Sequence, residues 1–346
     1  LQRTITLAKD QFNLNDVEET EWYNAYYLHE QDFVNLIDIT GTNGGGREFY
    51  GETMNLKQNK LTITLPTSYA RTDMKAHCNI QFAANSGQNT TASVRVNYAG
   101  KTETKKIKGL TDEHTRARLD SLILDVNPVS GSEQIFNFTF SGSTSNANAY
   151  LNYIELNIPC SLIMTGNEMP ISSKTIQSKK PVIRYRLQGT TPQTQIWRIN
   201  DGVHIEQIPT EYNSNVLTWL GDNTKVEQYV AVNTSSSTWK KPVTIGRVPN
   251  QNLHQLENID YVIICPSEFV SPAKRLAKKH EEIDNMTWAV VTAEQVYNEF
   301  SSGTPDASAY RWLMKMLYDR AAGDHTKTPK HRLLMGDGTY DNRHIF

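Results

Sequence analysis

Near the end of the chain an apolar run, Leu333-Leu334-Met335, passes directly into Gly336-Asp337-Gly338-Thr339-Tyr340-Asp341. Carboxylates placed straight after such a run are what a buried parallel strand delivers to the carboxyl edge of an α/β sheet. Carboxylate oxygens grouped with backbone carbonyls suit a hard cation such as calcium, which makes Asp337, with Asp341 behind it, a candidate metal ligand. Asp337 could equally cap its own loop through backbone amides, as aspartate does in turns. The residues alone leave these two roles open. Were Cys265 a nucleophile, it would need a histidine within hydrogen-bond reach and donors for an oxyanion. His254, His280, His325, His331 and His344 share its region, but none sits in a recognisable motif. Cys265 closes the run Val262-Ile263-Ile264, and Cys160 follows Asn157-Ile158-Pro159, so both read as small packed apolar groups. With Cys78 they form no CxxC pair and no metal-ligand spacing, which argues against a disulfide framework or a zinc site.

The elements that would hold Asp337 and Cys265 follow Asn250. Asp260 to Pro266 is a continuous apolar run, and Ser271-Pro272 offers an N-cap with proline at the first helical position of a helix running to about Glu282. Thr287 to Thr292 reads as a second buried strand, followed by a short helix from Ala293 to Phe300. Thr304-Pro305-Asp306 opens a longer helix with an apolar stripe of Tyr310, Leu313, Met314 and Leu317. His331 to Met335 is a third strand. Strands alternating with helices predict a parallel sheet with helices on its faces. Lys274, Arg275, Lys278, Lys279 and His280 read as the solvated face of the first helix.

Upstream the period is two. Lys60 to Leu65, Ala92 to Tyr98, Ser121 to Leu124 and Gln134 to Phe140 each alternate apolar and polar residues, with turn residues between them. An antiparallel β-sandwich is the expected package, with Ala149 to Leu156 as its closing strand. Gly44 to Gly46 lacks the Lys-Ser/Thr of a phosphate loop and reads as a flexible loop. A polar connector, Ser172 to Lys180, leads to a second β unit in which Pro181 to Leu187, Gln195 to Ile199 and Val226 to Val232 are strands. Asn200-Asp201-Gly202 is a hairpin-type turn there, and Trp197 a core or interdomain anchor. The expected division is a β-sandwich over residues 1–168, a second β-rich subdomain over 175–248, and the first, truncated part of an α/β domain over 256–346.

At 346 residues the chain exceeds one small domain. Its formal net charge of -2 provides no general attraction to polyanions, so nucleic acid is not an expected partner. No stretch reaches the length of a transmembrane segment, and Leu1-Gln2-Arg3 does not open a signal peptide.

Four strings taken together are more telling than any single residue: Asn250 to His254, Asp260 to Ile264, Val296 to Asp306 and Leu333 to Arg343. In this order they resemble the gingipain family of cysteine peptidases, and within it the sortase of the type IX secretion system. The resemblance implies a caspase-like α/β fold and a thiol endopeptidase in which a histidine activates a cysteine. It further implies a place at the cell surface or outer membrane of a Gram-negative bacterium. The partners implied are secreted cargo proteins with C-terminal sorting domains and other type IX secretion components. The family's histidine lies in a Gly-His-Gly string, with the cysteine beyond it, and both follow the strand-end Gly-Asp. No Gly-His-Gly occurs here, so no catalytic residue is carried over and both are expected downstream of Phe346. Asp337 matches a calcium ligand of the family, which makes calcium the one cofactor implied. The chain alone is then expected to be inactive. The alternative is a β-sandwich binding module for a cell-surface polymer or protein, carrying a vestigial α/β domain.

Overall fold

The computed structural model describes residues 5–36, 48–111, 115–172, 179–199, 204–239, 241, 243–244 and 246–338. The expected loop at Gly44 to Gly46, the turn at Asn200 to Gly202, most of the Ser172–Lys180 connector, and Asp341 with His344 lie outside the described residues. The chain divides into two compact units, residues 1–240 with 340–346, and residues 241–339.

In the first unit the period-two runs become strands. Lys60–Pro66, Glu133–Gly142, Thr91–Tyr98 and Lys101–Lys108 form one antiparallel sheet in that order. Trp22–Glu30, Asn148–Ser161, Ala76–Asn85 and Arg118–Val126 form a second. Alternate residues of the two sheets meet in one core, where Val94, Val96, Phe136, Phe138 and Phe140 join Cys78, Ile80, Phe82, Ile154 and Leu156. Asn148–Ser161 does not close the sandwich as expected. It is paired on both sides, with Trp22–Glu30 and with Ala76–Asn85. Its run Ile154, Leu156, Ile158, Cys160 is wholly buried, which suits a central position.

Two further sheets complete this unit. Val182–Gln188 and Thr194–Arg198 are strands close to where the sequence placed them, but their partners come from far along the chain. Ile5–Leu7 lies parallel to Ile205–Ile208, and Val17–Thr20 parallel to Val182–Gln188. Glu168–Ser172, where the connector was expected to begin, pairs with Gln228–Asn233. Segments from before residue 173 therefore complete both sheets of the second β region. Trp197 is not its core aromatic. It is half-buried, and its indole donates to Gln195 Oε1 at 3.0 Å. Trp219 fills the core instead, stacked on Tyr185 at 4.9 Å between centroids.

The second unit has the expected period change. Trp288–Thr292, Tyr261–Cys265 and His331–Leu334 form a parallel sheet with Tyr261–Cys265 in the middle. All five residues of the middle strand are buried, because its two faces feed two cores. Val262, Ile264 and Val291 pack with Leu313 and Leu317 of helix Ser308–Arg320 and Val296 of helix Ala293–Phe300. Tyr261, Ile263 and Cys265 pack with Ala273 and Ala277 of helix Val270–Asp284. Leu333 and Leu334, expected in a buried run with Met335, belong to one of the two edge strands, and Leu334 is 52% exposed.

The helix starts differ from expectation in detail. The first helix begins at Val270, so Ser271 is not its cap and Pro272 sits inside the first turn, where a missing N–H costs nothing. The third begins at Ser308, just after Thr304-Pro305-Asp306; its N-cap position, Ala307, has no side-chain cap, and Asp306 one residue earlier accepts from Ser308 N at 2.8 Å. Helix Ala293–Phe300 is fixed by a capping box: Thr292 Oγ1 accepts from Gln295 N at 3.1 Å, and Gln295 Oε1 accepts from Thr292 N at 2.9 Å. Lys274, Arg275, Lys278 and Lys279 are solvent-facing, as a solvated face requires.

Candidate functional site

The carboxyl ends of the parallel strands open a cleft of ≈ 510 Å³, lined among others by Cys265, Pro266, Tyr297, Tyr310, Gly336 and Asp337. Topology explains why it lies there. Strands Tyr261–Cys265 and His331–Leu334 run in register, Ile264 opposite Leu334, and Met335 N donates to Ile264 O at 2.9 Å. The chain leaving the second strand must then turn beside Pro266. Gly336 makes this turn at φ +149, where a Cβ would stand 3.4 Å from Pro266 Cδ, so a side chain there would be strained and crowded.

Cys265 reaches this edge without being available for chemistry. It is 2% exposed, and its thiol contacts Val291 O at 3.9 Å. Burial first, and then the Glu268 carboxylate, push the thiol above its ordinary range, which keeps it protonated. Three histidines of this unit are engaged elsewhere: His254 with Glu299 at 2.5 Å, His280 with Asp284 at 2.6 Å, and His331 edge-on to Tyr261. Among the described residues, no imidazole is hydrogen-bonded to the Cys265 sulfur.

Asp337 does lie at the strand end, exposed, with Oδ1 accepting from Gly338 N at 2.9 Å. That is the loop-capping role. A calcium ion takes six to eight oxygen ligands, and among the described residues no group of three or more acidic, histidine or cysteine side chains is arranged so that it could hold a metal ion. One carboxylate that already serves its neighbour's amide does not by itself fit calcium, and no chemistry is routed through such an ion here.

Two tyrosines on the cleft escaped notice in the sequence. Tyr297 and Tyr310, from successive helices, stack with centroids 5.5 Å apart and hydroxyl oxygens at 2.5 Å. Burial, and then the Tyr297 hydroxyl, push the Tyr310 phenol well above its usual value, so it stays neutral. The only available signal was positional, since Tyr310 lies on the apolar stripe and Tyr297 in one of the four strings.

Residues 254–345 match the model of Peptidase family C25. No curated protein matches the chain. Among solved structures, the dimeric latent PorU from Porphyromonas gingivalis is similar over 100% of this chain and 32% of its own, with a TM-score of 0.81 and 23% identity. The chain thus spans about a third of the length of that protein. A carbohydrate-binding module of family CBM36, solved with calcium and xylotriose, overlaps 33% of this chain and 86% of its own at 15% identity, with a TM-score of 0.23. A family 35 carbohydrate-binding module from an environmental isolate covers 42% and 93% at 15% identity, also with a TM-score of 0.23. Similarity that low carries no argument. The family match is thus confined to residues 254–345, which resemble Peptidase family C25, while over its whole length the chain has a PorU-like fold.

Proposed function

We propose that this chain is the N-terminal β region and first part of the catalytic domain of a PorU-like cysteine endopeptidase, a cell-surface sortase that cleaves the C-terminal sorting domains of type IX secretion cargo. The observation that supports this is the cleft at the carboxyl edge of the parallel sheet, inside the segment that matches Peptidase family C25. In this reading the strand ends form one wall of the substrate cleft, and the nucleophile and base come from chain beyond Phe346. A cysteine thiolate attacks the scissile carbonyl and the histidine passes its proton to the leaving amine. Water then hydrolyses the acyl-enzyme, or an amine acceptor releases it. Asp337 supports the strand-end loop, and calcium enters only if further ligands lie outside the described residues. Alone, the chain does not hydrolyse peptides. Incubation with a denatured protein substrate under reducing conditions is expected to yield no thiol-dependent cleavage. Cleavage lost on Cys265→Ala would overturn the proposal, as would a downstream reading frame without a Gly-His-Gly and a cysteine.

One observation favours a second reading, a binding module for a cell-surface polymer. On the outer face of the sheet built around Asn148–Ser161 the Tyr26 hydroxyl donates to Glu155 at 2.9 Å, and Asn79 donates to the Tyr153 hydroxyl at 3.3 Å. Rings interleaved with amides and carboxylates suit a hydroxyl-rich chain. Retention on a surface polysaccharide column, abolished by Tyr153→Ala without loss of stability, is the expected result under this reading; equal retention of the variant rejects it.

A further inference from the structure

The sheet of Lys60–Pro66, Glu133–Gly142, Thr91–Tyr98 and Lys101–Lys108 buries one face in the sandwich core and leaves the other open. Alternation along each strand decides which residues point outward. Ile63, Val94, Phe138 and Ile107 turn inward, so Lys60, Arg95, Lys106 and Lys108 turn outward, and all four are exposed. Register sets Lys60, Thr139, Arg95 and Thr104 side by side in one row across the four strands, with Lys106 and Lys108 in the two rows that follow.

Strand Lys101–Lys108 treats its two sides differently. Lys101 and Lys105, on the core side, have carboxylate partners, Glu103 at 3.5 Å and Asp120 at 3.0 Å. The outward Lys106 and Lys108 have none among the described residues, nor have Lys60 and Arg95. The one carboxylate among the outward residues of these four strands is Glu133, three rows from Arg95. Lysine on an edge strand discourages pairing with another sheet, which accounts for Lys106 and Lys108 but not for Arg95, on an inner strand. A chain of net charge -2 thus presents four uncompensated cations on one face, successive ones roughly 7–10 Å apart by the spacing of the sheet.

The rest of the face selects among polyanions. Between the cations lie hydroxyls and amides: Thr62 donates to Asn137 Oδ1 at 2.9 Å, Asn97 donates to Thr102 Oγ1 at 2.8 Å, and the Ser93 and Ser141 hydroxyls are 2.7 Å apart. No aromatic ring faces outward on these strands, so the bases of a single-stranded nucleic acid have nothing to stack on. Ile135 is the one large apolar side chain exposed there, too little to enter a lipid surface. Sugar hydroxyls, in contrast, find donors and acceptors all along the rows.

We infer that this face binds an acidic polysaccharide, a linear chain of sugars bearing carboxylate groups. Lys60, Arg95, Lys106 and Lys108 pair with the carboxylates, and the threonine, serine and asparagine side chains between them meet the hydroxyls. The surface lies on the opposite side of the sandwich from Tyr26 and Tyr153 and rests on neither reading of the function.

The test is calorimetric titration of the full 346-residue chain with hexagalacturonate, neutral maltohexaose and hexaglutamate. Hexagalacturonate is expected to bind, more weakly as salt rises, and Arg95→Ser and Lys106→Ser are each expected to weaken it about tenfold. Lys105→Ser removes the same charge from the core side of the same strand and should leave binding unchanged. If Arg95→Ser does not fold, Lys106→Ser, on the edge strand, carries the test. No binding of hexagalacturonate at low salt overturns the inference, as does an equal loss in Lys105→Ser. Maltohexaose binding as tightly as the uronate overturns it too, and so does hexaglutamate binding as tightly, which would make the partner an acidic peptide.

Discussion

Glu299 Oε2 lies 2.5 Å from His254 Nδ1, and the same carboxylate accepts from the backbone N–H groups of Leu253 at 2.7 Å and His254 at 3.1 Å and from Gln251 Nε2 at 2.9 Å. Two of the four strings that signal the family, Asn250 to His254 and Val296 to Asp306, are thereby joined through one side chain. Their shared role in this structure is to tie the entry of the α/β unit to helix Ala293–Phe300.

That tie makes stability depend on pH. Burial raises the Glu299 carboxyl, but the bonds from Leu253, Gln251 and His254 outweigh it and hold the group below its ordinary value. A carboxyl depressed in the folded state contributes stability that is full above its unfolded value, near pH 4.3, and is lost as pH falls through the lower folded value. Glu299→Gln is expected to destabilise the second unit by about 2–3 kcal/mol at pH 7. In urea denaturation the deficit should shrink below about pH 4. A deficit that is constant across this window would show that the charge is not what matters.

Burial separates two neighbouring residues of the parallel sheet. Ile263, in the middle strand, is 0% exposed, whereas Leu334 on an edge strand is 52% exposed. Ile263→Ala should cost about 3–4 kcal/mol through lost burial and a residual cavity, and Leu334→Ala about 0.5 kcal/mol or less. Similar costs at both positions, measured in this chain, would contradict the sheet order.

The three cysteines should behave alike. Each is buried, and burial raises every thiol, Cys160 to about 12. Ellman's reagent at pH 8 is expected to find no fast-reacting thiol in the native chain and all three in denaturant. One rapid native thiol, mapped to Cys265, would reopen its candidacy as a nucleophile.

Arg198 sits in a largely buried charge cluster with Asp10, Glu206 and Glu227, at 2.5, 2.7 and 3.0 Å, and the Glu227 side chain is 2% exposed. Arg198→Met leaves Glu227 without its buried partner and should cost about 3–5 kcal/mol. Adding Glu227→Gln should recover part of that loss. If the double variant is no more stable than the single, the pair is not coupled.

What the sequence determined by itself was local. Period-two alternation located Thr91–Tyr98 and Glu133–Gly142, and the change of period after Asn250 located the α/β unit, because side-chain periodicity reports which face of an element is buried. It does not report the partner that covers that face. Only the tertiary structure decided that Asn148–Ser161 is central, that Ile5–Leu7 and Val17–Thr20 complete sheets begun far along the chain, and that Trp219 rather than Trp197 is the core aromatic. The same holds for the candidate site. Gly336-Asp337-Gly338 was legible as a strand end, and the structure puts it there beside Cys265 and the Tyr297–Tyr310 pair. Its chemistry was not legible, because reactivity depends on groups brought together from distant parts of the chain. Burial silences the Cys265 thiol, and Asp337 is used by the amide of its own neighbour.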